Sequence, residues 1–159
     1  KDDPSQRFES RIAYLEKSMS ISNIKPREGK LEWWIVASAS DPQIFVKSVF
    51  SELLPVQLDK YVNEYRKEVG VETAVQAIEA ISESISHYLA LEFVEKMKIP
   101  DGRKVVEDSL NSLDKNNDPR YKYVPNAVRW VGENGIDKAI ELYKESPKKF
   151  IDVITESQK

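Results

Sequence analysis

Apolar residues recur at helical spacing along most of the chain. The longest such pattern covers residues 71–98, where an apolar residue returns every three or four positions and no proline or glycine interrupts. Its apolar positions are Val75, Ile78, Ile81, Ile85, Leu89 and Phe93. At 1.5 Å per residue, a helix of this length spans about 40 Å. The pattern therefore predicts one long central helix.

Shorter helices are predicted on both sides of this central one. An N-terminal amphipathic helix is indicated by the stripe Phe8, Ile12, Leu15 and Met19. Asp41-Pro42 is typical of a helix start, and the inward face of the following helix should carry Ile44, Phe45, Val49 and Leu53. The later helices are separated by Pro55, Gly70, Pro100-Asp101-Gly102, Gly135 and Ser146-Pro147.

These patterns together predict an all-α fold. We expect a compact bundle of about six to eight helices around the long central helix at residues 71–98. The length of 159 residues fits a single helical domain over residues 1–159, with the first few residues frayed.

Residues 31–37 are the one ambiguous segment. Leu31-Glu32-Trp33-Trp34-Ile35-Val36-Ala37 suits either a buried strand or a buried helix, because a short apolar run carries no clear period. We favour a helix, since no partner strand is evident elsewhere. Residues 20–29 contain Asn23, Pro26 and Gly29 and are interpreted as a connection.

Composition narrows the class of protein. Hydrophobic residues make up 40%, charged residues 32%, and the formal net charge is -3, which is typical of a soluble protein rather than a globally basic nucleic-acid binder. The longest apolar run, residues 33–37, is too short to span a membrane. We therefore expect a cytoplasmic protein without membrane contact. The absence of cysteine excludes disulfides and thiolate chemistry, and together with abundant Lys and Glu it hints at a thermophilic source.

Two basic segments are the first candidates for a functional surface. The second basic segment, residues 115–130, holds four bases against one acid and alternates them with aromatic rings; the first basic segment, residues 96–104, also holds four bases against one acid. Cations for phosphates and rings for bases are what single-strand binding surfaces combine. The nucleic-acid candidates are Lys96, Lys98, Arg103, Lys104, Arg120, Tyr121, Lys122, Tyr123, Arg129 and Trp130. A structural alternative stays open, in which the rings fix the loop to the core and the cations face water.

Two tryptophans are the candidates for contact with a protein partner. Trp33 and Trp34 are adjacent, so they point in different directions on a helix or a strand, and one of them can face outward while the other is buried. Exposed Trp is common at binding hot spots. Burial of both is the simpler alternative.

No pattern indicates a metal or a cofactor. The run from Asp114 to Asp118 opens like a calcium loop, but Pro119 and Pro125 occupy the positions that need Gly and Glu. His87, the single histidine, forms a helical stripe with Glu79 and Glu83, which predicts an exposed Glu83–His87 contact rather than a metal site. Phosphate-binding Gly-rich loops and hydrolase motifs are missing from the sequence.

Three functional hypotheses follow. The first is a non-enzymatic helical interaction or assembly protein, a subunit or accessory factor that binds another macromolecule or itself through Trp33 or Trp34 and the loop of Tyr121 and Tyr123. The alternative is a protein that binds single-stranded DNA or RNA through residues 96–104 and 115–130. Catalysis by Asp and Glu alone is a third hypothesis. It requires a pocket that gathers carboxylates with raised pKa values.

Overall fold

The structure, a computed structural model, describes residues 20–27, 30–37, 42–115 and 117–156. Two strands come first, β1 (Ser20–Arg27) and β2 (Lys30–Ala37). The helices are α1 (Pro42–Gln57), α2 (Asp59–Val69), α3 (Val71–Met97), α4 (Gly102–Lys115), α5 (Val124–Asn134), α6 (Ile136–Glu145) and α7 (Pro147–Glu156), with a short 3-10 helix at Pro119–Tyr121. The predicted N-terminal helix at residues 8–19 lies outside the described residues.

The prediction of a bundle around one long helix is confirmed. Helix α3 contacts α1, α2, α4, α5, α6 and α7, and it covers 27 residues, which corresponds to about 40 Å. Its middle is buried on every side, unlike a surface helix with a single apolar stripe. Small side chains make this possible: Ala77, Ala80, Ser84, Ser86 and Ala90 are all fully buried. They let the neighbouring helices approach α3 closely.

The prediction of a helix at residues 31–37 is wrong. These residues belong to β2, which pairs antiparallel with β1 so that Ser20 lies opposite Ala37 and Arg27 opposite Lys30. The interpretation of residues 20–29 as a connection is also wrong over residues 20–27, which form β1, because Pro26 breaks a helical pattern but not an edge strand. In a two-stranded sheet every strand is an edge strand, where proline is tolerated. Both strands lie against α1.

At two junctions a single glycine is the one residue between consecutive helices. Gly70 has φ +86° and lies between α2 and α3, as the sequence predicted for a terminating glycine. Its N–H donates to the Arg66 carbonyl at 3.0 Å, and its own carbonyl accepts from the Ala74 N–H at 3.3 Å. Gly135, with φ +89°, does the same between α5 and α6. Positive φ at these junctions favours glycine, which has no Cβ.

The main core forms where α5, α6 and α7 pack on the N-terminal half of α3. Phe150 of α7 is fully buried and lies edge-to-face with two rings, Trp130 of α5 at 6.2 Å and Tyr143 of α6 at 5.7 Å between centroids. A smaller cluster of Ala90, Leu91, Val94 and Val106 joins α4 to the C-terminal half of α3. The C-terminal helices are therefore fixed by large rings and α4 by smaller side chains.

Helix α1 buries a different face from the one that its sequence predicts. Gln43, Lys47 and Ser48 are buried, whereas Phe45 is 41% exposed. The predicted inward residues Ile44, Val49 and Leu53 are only half-buried. A charged partner on α3, described below, accounts for the burial of Lys47.

Gly102 at the start of α4 is expected to tolerate no side chain. A Cβ there would overlap the Cγ1 atom of buried Val94 on α3. Gly102→Ala should therefore destabilise the protein by about 1–3 kcal/mol, the usual cost of overpacking, as measured by urea denaturation. In a Val94→Ala background the same change should cost about 1 kcal/mol less, because the clashing methyl group is gone. Equal costs in both backgrounds would contradict this contact.

Candidate functional site

A buried ion pair joins α1 to the charged stripe of α3. Lys47 Nζ lies 2.5 Å from Glu83 Oε2, and the side chains are 6% and 11% exposed. His87, one turn further along α3, is also buried, at 5% exposure. The predicted exposed contact between Glu83 and His87 is therefore wrong, because both side chains are buried and Glu83 pairs with Lys47. The sequence feature that indicates this pair is Lys47, the single cation within the apolar run of α1.

Burial moves the pKa values of two residues of this stripe in opposite senses. Burial, reinforced by nearby Glu83, raises the pKa of Glu79 from its ordinary value of 4.5 to about 7. Burial, reinforced by Lys47, lowers the pKa of His87 from 6.5 to about 4. Burial therefore favours the uncharged form of both side chains.

The loop before α5 contains an ion pair between the guanidinium of Arg120 and the carboxylate of Asp118. Arg120 donates from Nε and Nη2 to the Asp118 carboxylate, with the shortest contact at 2.7 Å, and its backbone N–H donates to the same carboxylate at 3.0 Å. These hydrogen bonds lower the pKa of Asp118 and raise that of Arg120. The charges of the two residues balance each other, so Arg120 brings little net charge to a partner.

Two surface clefts share Tyr121 in their lining, one beside the loop that follows α4 and the other between α4 and the start of α5. One, of about 250 Å³, is lined by Leu113, Asn117, Asp118, Pro119, Tyr121 and Lys122. The other, of about 170 Å³, is lined by Leu110, Asn111, Leu113, Tyr121, Val124, Pro125 and Val128. Leu113 and Tyr121 belong to both, so the clefts are neighbours. We refer to these lining residues together as the Tyr121 groove.

The Tyr121 groove lies beside the raised-pKa carboxyl of α3. Burial, followed by the charge of Glu79, raises the pKa of Tyr121 to about 12. Glu79 in turn interacts with Arg120. Glu79 lines neither of the two clefts, so this carboxyl is not presented to a ligand in the groove.

The other rings of the second basic segment face the core. Trp130 is 6% exposed and packs on Phe150, which is incompatible with the predicted stacking of Trp130 on a base. Tyr123 packs against the main core, and the ammonium of Lys122 lies 5.0 Å from the centroid of its ring. Among the predicted stacking residues, Tyr121 is therefore the one that lines the clefts.

The first basic segment is partly neutralised by acids. Lys96 pairs with Glu92 at 3.3 Å, and Arg103 pairs with Glu95 and, at 3.4 Å, with Glu107. Within the described ranges, no ion pair involves Lys98, Lys104, Lys122 or Arg129, and all four are exposed. The two basic segments lie at opposite ends of α4, about 20 Å apart along its axis. The structure therefore does not merge them into one dense patch.

The candidate partner anchors Trp33 and Trp34 lie in the middle of β2. Trp33 is opposite Ile24 of β1 and Trp34 is opposite Asn23. Neighbouring positions of a strand fall on opposite faces, so the two positions occupy different faces of the hairpin. They lie near α1 rather than in the Tyr121 groove.

In residues 20–27, 30–37, 42–115 and 117–156, no group of three or more His, Asp or Glu side chains is placed to hold a metal ion. The rejected calcium loop has another role, since Asp118 caps the 3-10 helix. No helix of the described ranges is long and apolar enough to cross a membrane. Comparison with protein-family models, with curated proteins and with solved structures found no match.

Replacing Glu79 with Gln should stabilise the protein at high pH. Below pH 4.5 the carboxyl is protonated in both states, and above pH 7 it is ionised in both, at a cost that only the folded state bears. The gain from Glu79→Gln should therefore grow from near zero to as much as about 3 kcal/mol across this window. Urea denaturation on both sides of the window measures it.

His87→Gln is the matched control, because its effect should have the opposite pH dependence. Burial, reinforced by Lys47 and Arg103 and opposed by Glu107, lowers the pKa of His87 in the folded state to about 4. The unfolded state therefore takes up a proton that the folded state does not, and the folded state loses stability as the pH falls from 6.5 to about 4. For Glu79 the charged neighbours are Glu83 on α3, Glu52 on α1, and Asp118 and Arg120 on the loop. Parallel pH profiles of the two variants would contradict the opposed shifts.

Substitutions of Lys47 and Glu83 should have strongly non-additive effects on the free energy of unfolding. Lys47→Met leaves the Glu83 carboxylate buried without its partner and should cost about 3–5 kcal/mol. The double variant Lys47→Met, Glu83→Leu should recover most of that loss, because an apolar pair replaces the charges. Thermal and urea denaturation of the three proteins measure the coupling. A double variant as unstable as the single one would show that the pair is not the important contact.

Proposed function

We propose that the protein is a non-enzymatic helical interaction protein, a subunit or accessory factor, that binds a protein partner or a second copy of itself through the Tyr121 groove. The observation that carries the proposal is the apolar surface of the groove. Leu110 of α4 and Val128 of α5 remain half-buried there, beside Tyr121, instead of packing fully into the core.

The dimensions of the groove suit side chains of a partner better than a small molecule. Typical small-molecule sites are enclosed and measure about 300–1,000 Å³. The two clefts measure about 250 Å³ and 170 Å³ and are open to solvent. Neighbouring shallow clefts that share a wall are able to accept successive side chains of a peptide segment or a helix.

The groove also supports a protein partner over a nucleic acid. A single-strand binding surface needs several rings to stack on bases and cations along the backbone. Here Trp130 and Tyr123 pack on the core, and Arg120 is neutralised by Asp118. Apolar side chains line the smaller cleft instead, which is a feature of protein-binding surfaces.

The remaining partner candidates have a different position. Trp33 and Trp34 lie on the hairpin beside α1, so they would form a second contact region rather than part of the groove. We propose the groove as the primary contact because apolar Leu110 and Val128 line it beside Tyr121.

The proposal is tested with short random peptides displayed on phage and selected on the immobilised protein. Enriched peptides, made synthetically, should bind in solution with affinities measured by fluorescence anisotropy. Val128→Asp places a carboxylate against an apolar anchor and should weaken this binding at least about tenfold. Leu110→Asp, on the opposite wall, should do the same.

Val71→Asp is the matched control, because Val71 is 62% exposed at the start of α3 and lines neither cleft. It should leave peptide binding unchanged. Circular dichroism confirms that each variant is folded. The proposal fails if no peptide is enriched, or if the enriched peptides bind Val128→Asp and Leu110→Asp as tightly as the original protein.

A further inference from the structure

We propose that the occupant of the Tyr121 groove is an acidic peptide segment of the partner. In this proposal an apolar side chain is held between Leu110 and Val128, and flanking carboxylates pair with Lys122 and Arg129. The inference rests on the proposed function and adds the chemistry of the partner.

Lys122 supplies the first positive charge. It lines the larger cleft, and the ring of Tyr123 holds its ammonium at 5.0 Å. A cation held against a ring loses less rotamer freedom when it binds a carboxylate than a lysine that extends freely into water. Within the described ranges no acid pairs with it.

Arg129 of α5 supplies the second positive charge, at the edge of the smaller cleft. It is exposed and follows Pro125, a lining residue, by one turn of α5, and positions four apart share a helix face. Its guanidinium therefore has access to the edge of the smaller cleft. Arginine suits this place because its planar fork binds a carboxylate through two hydrogen bonds.

The one described acid that lines the groove does not cancel these charges. Asp118 accepts hydrogen bonds from the side chain and the backbone of Arg120, and the two charges offset each other. With Asp118 paired to Arg120, Lys122 is the unpaired charge among the described lining residues, on a chain whose formal net charge is -3. Complementary charge at the rim orients a partner and rejects segments of the wrong sign.

Polar side chains inside the groove suit a peptide backbone. Asn111 lines the smaller cleft and Asn117 the larger one. A carboxamide donates and accepts hydrogen bonds, which matches the alternating groups of an extended chain. The groove therefore combines apolar contacts, backbone hydrogen bonds and two cations, and this set fits a short acidic segment with an apolar anchor.

The test uses three synthetic peptides that share the apolar anchor of an enriched peptide and differ in their flanks, which carry Glu, Ser or Lys. The original protein should bind the Glu-flanked peptide at least about tenfold more tightly than the Lys-flanked one, and the difference should shrink with added salt. The double variant Lys122→Glu, Arg129→Glu should reverse this order of preference.

The matched control is Lys98→Glu, Lys104→Glu, which makes the same change in net charge at the opposite end of α4. It should keep the original order of preference. The inference is overturned, while the proposed function stands, if all three peptides bind equally well and Val128→Asp still abolishes binding. If no peptide binds, the proposed function itself fails.

A nucleic acid is the competing occupant, and the same variants distinguish it. A single-stranded oligonucleotide should not displace the Glu-flanked peptide from the original protein. Displacement by the oligonucleotide that weakens steeply with salt and disappears in Lys122→Glu, Arg129→Glu would show that the cations bind phosphates instead.

Discussion

The middle of helix α3 is buried on all sides, and the packing of its neighbours depends on that constraint. Within the described ranges six other helices pack around α3, and α1 does so with buried polar residues such as Lys47. Small residues such as Ala77, Ala80 and Ser84 set how closely these helices approach. The Tyr121 groove lies at the surface of this bundle, where α4, α5 and the loop that joins them meet.

Polar groups within the bundle fix which helix lies where. Apolar contacts are not directional, and α1 carries enough apolar residues to pack in more than one rotation. The pairing of Lys47 with Glu83 selects one of them, at the cost of removing two charges from water. One turn earlier on α3, Glu79 interacts electrostatically with Arg120 and Tyr121 of the loop, whose 3-10 helix contacts α3.

Much of the helical architecture could be predicted because its signals are local. The uninterrupted period of α3 and the terminating role of Gly70 need only neighbouring residues for their interpretation. The hairpin was missed because strand pairing is non-local, and the segment containing Pro26 was compared with a helix rather than with a possible partner strand. Burial of Lys47 was missed for the same reason, since its partner Glu83 is distant in sequence.

Alternating cations and rings predict a functional surface at residues 115–130, and Tyr121 and Lys122 are the predicted site residues that line the two clefts. The pattern does not reveal which rings face inward, because that depends on α6 and α7 covering Trp130. Nor does it reveal Leu110 and Leu113, whose apolar spacing is that of any amphipathic helix. Site chemistry here is a property of packing as much as of residue type.

The most direct test of the account is to observe a peptide in the groove. Intermolecular nuclear Overhauser effects can be recorded between a bound peptide from the selection and the Leu and Val methyl groups of the protein. The account predicts contacts from the apolar anchor of the peptide to Leu110, Leu113 and Val128. Contacts only to methyl groups elsewhere, such as those of Leu142 or Val153, would contradict it.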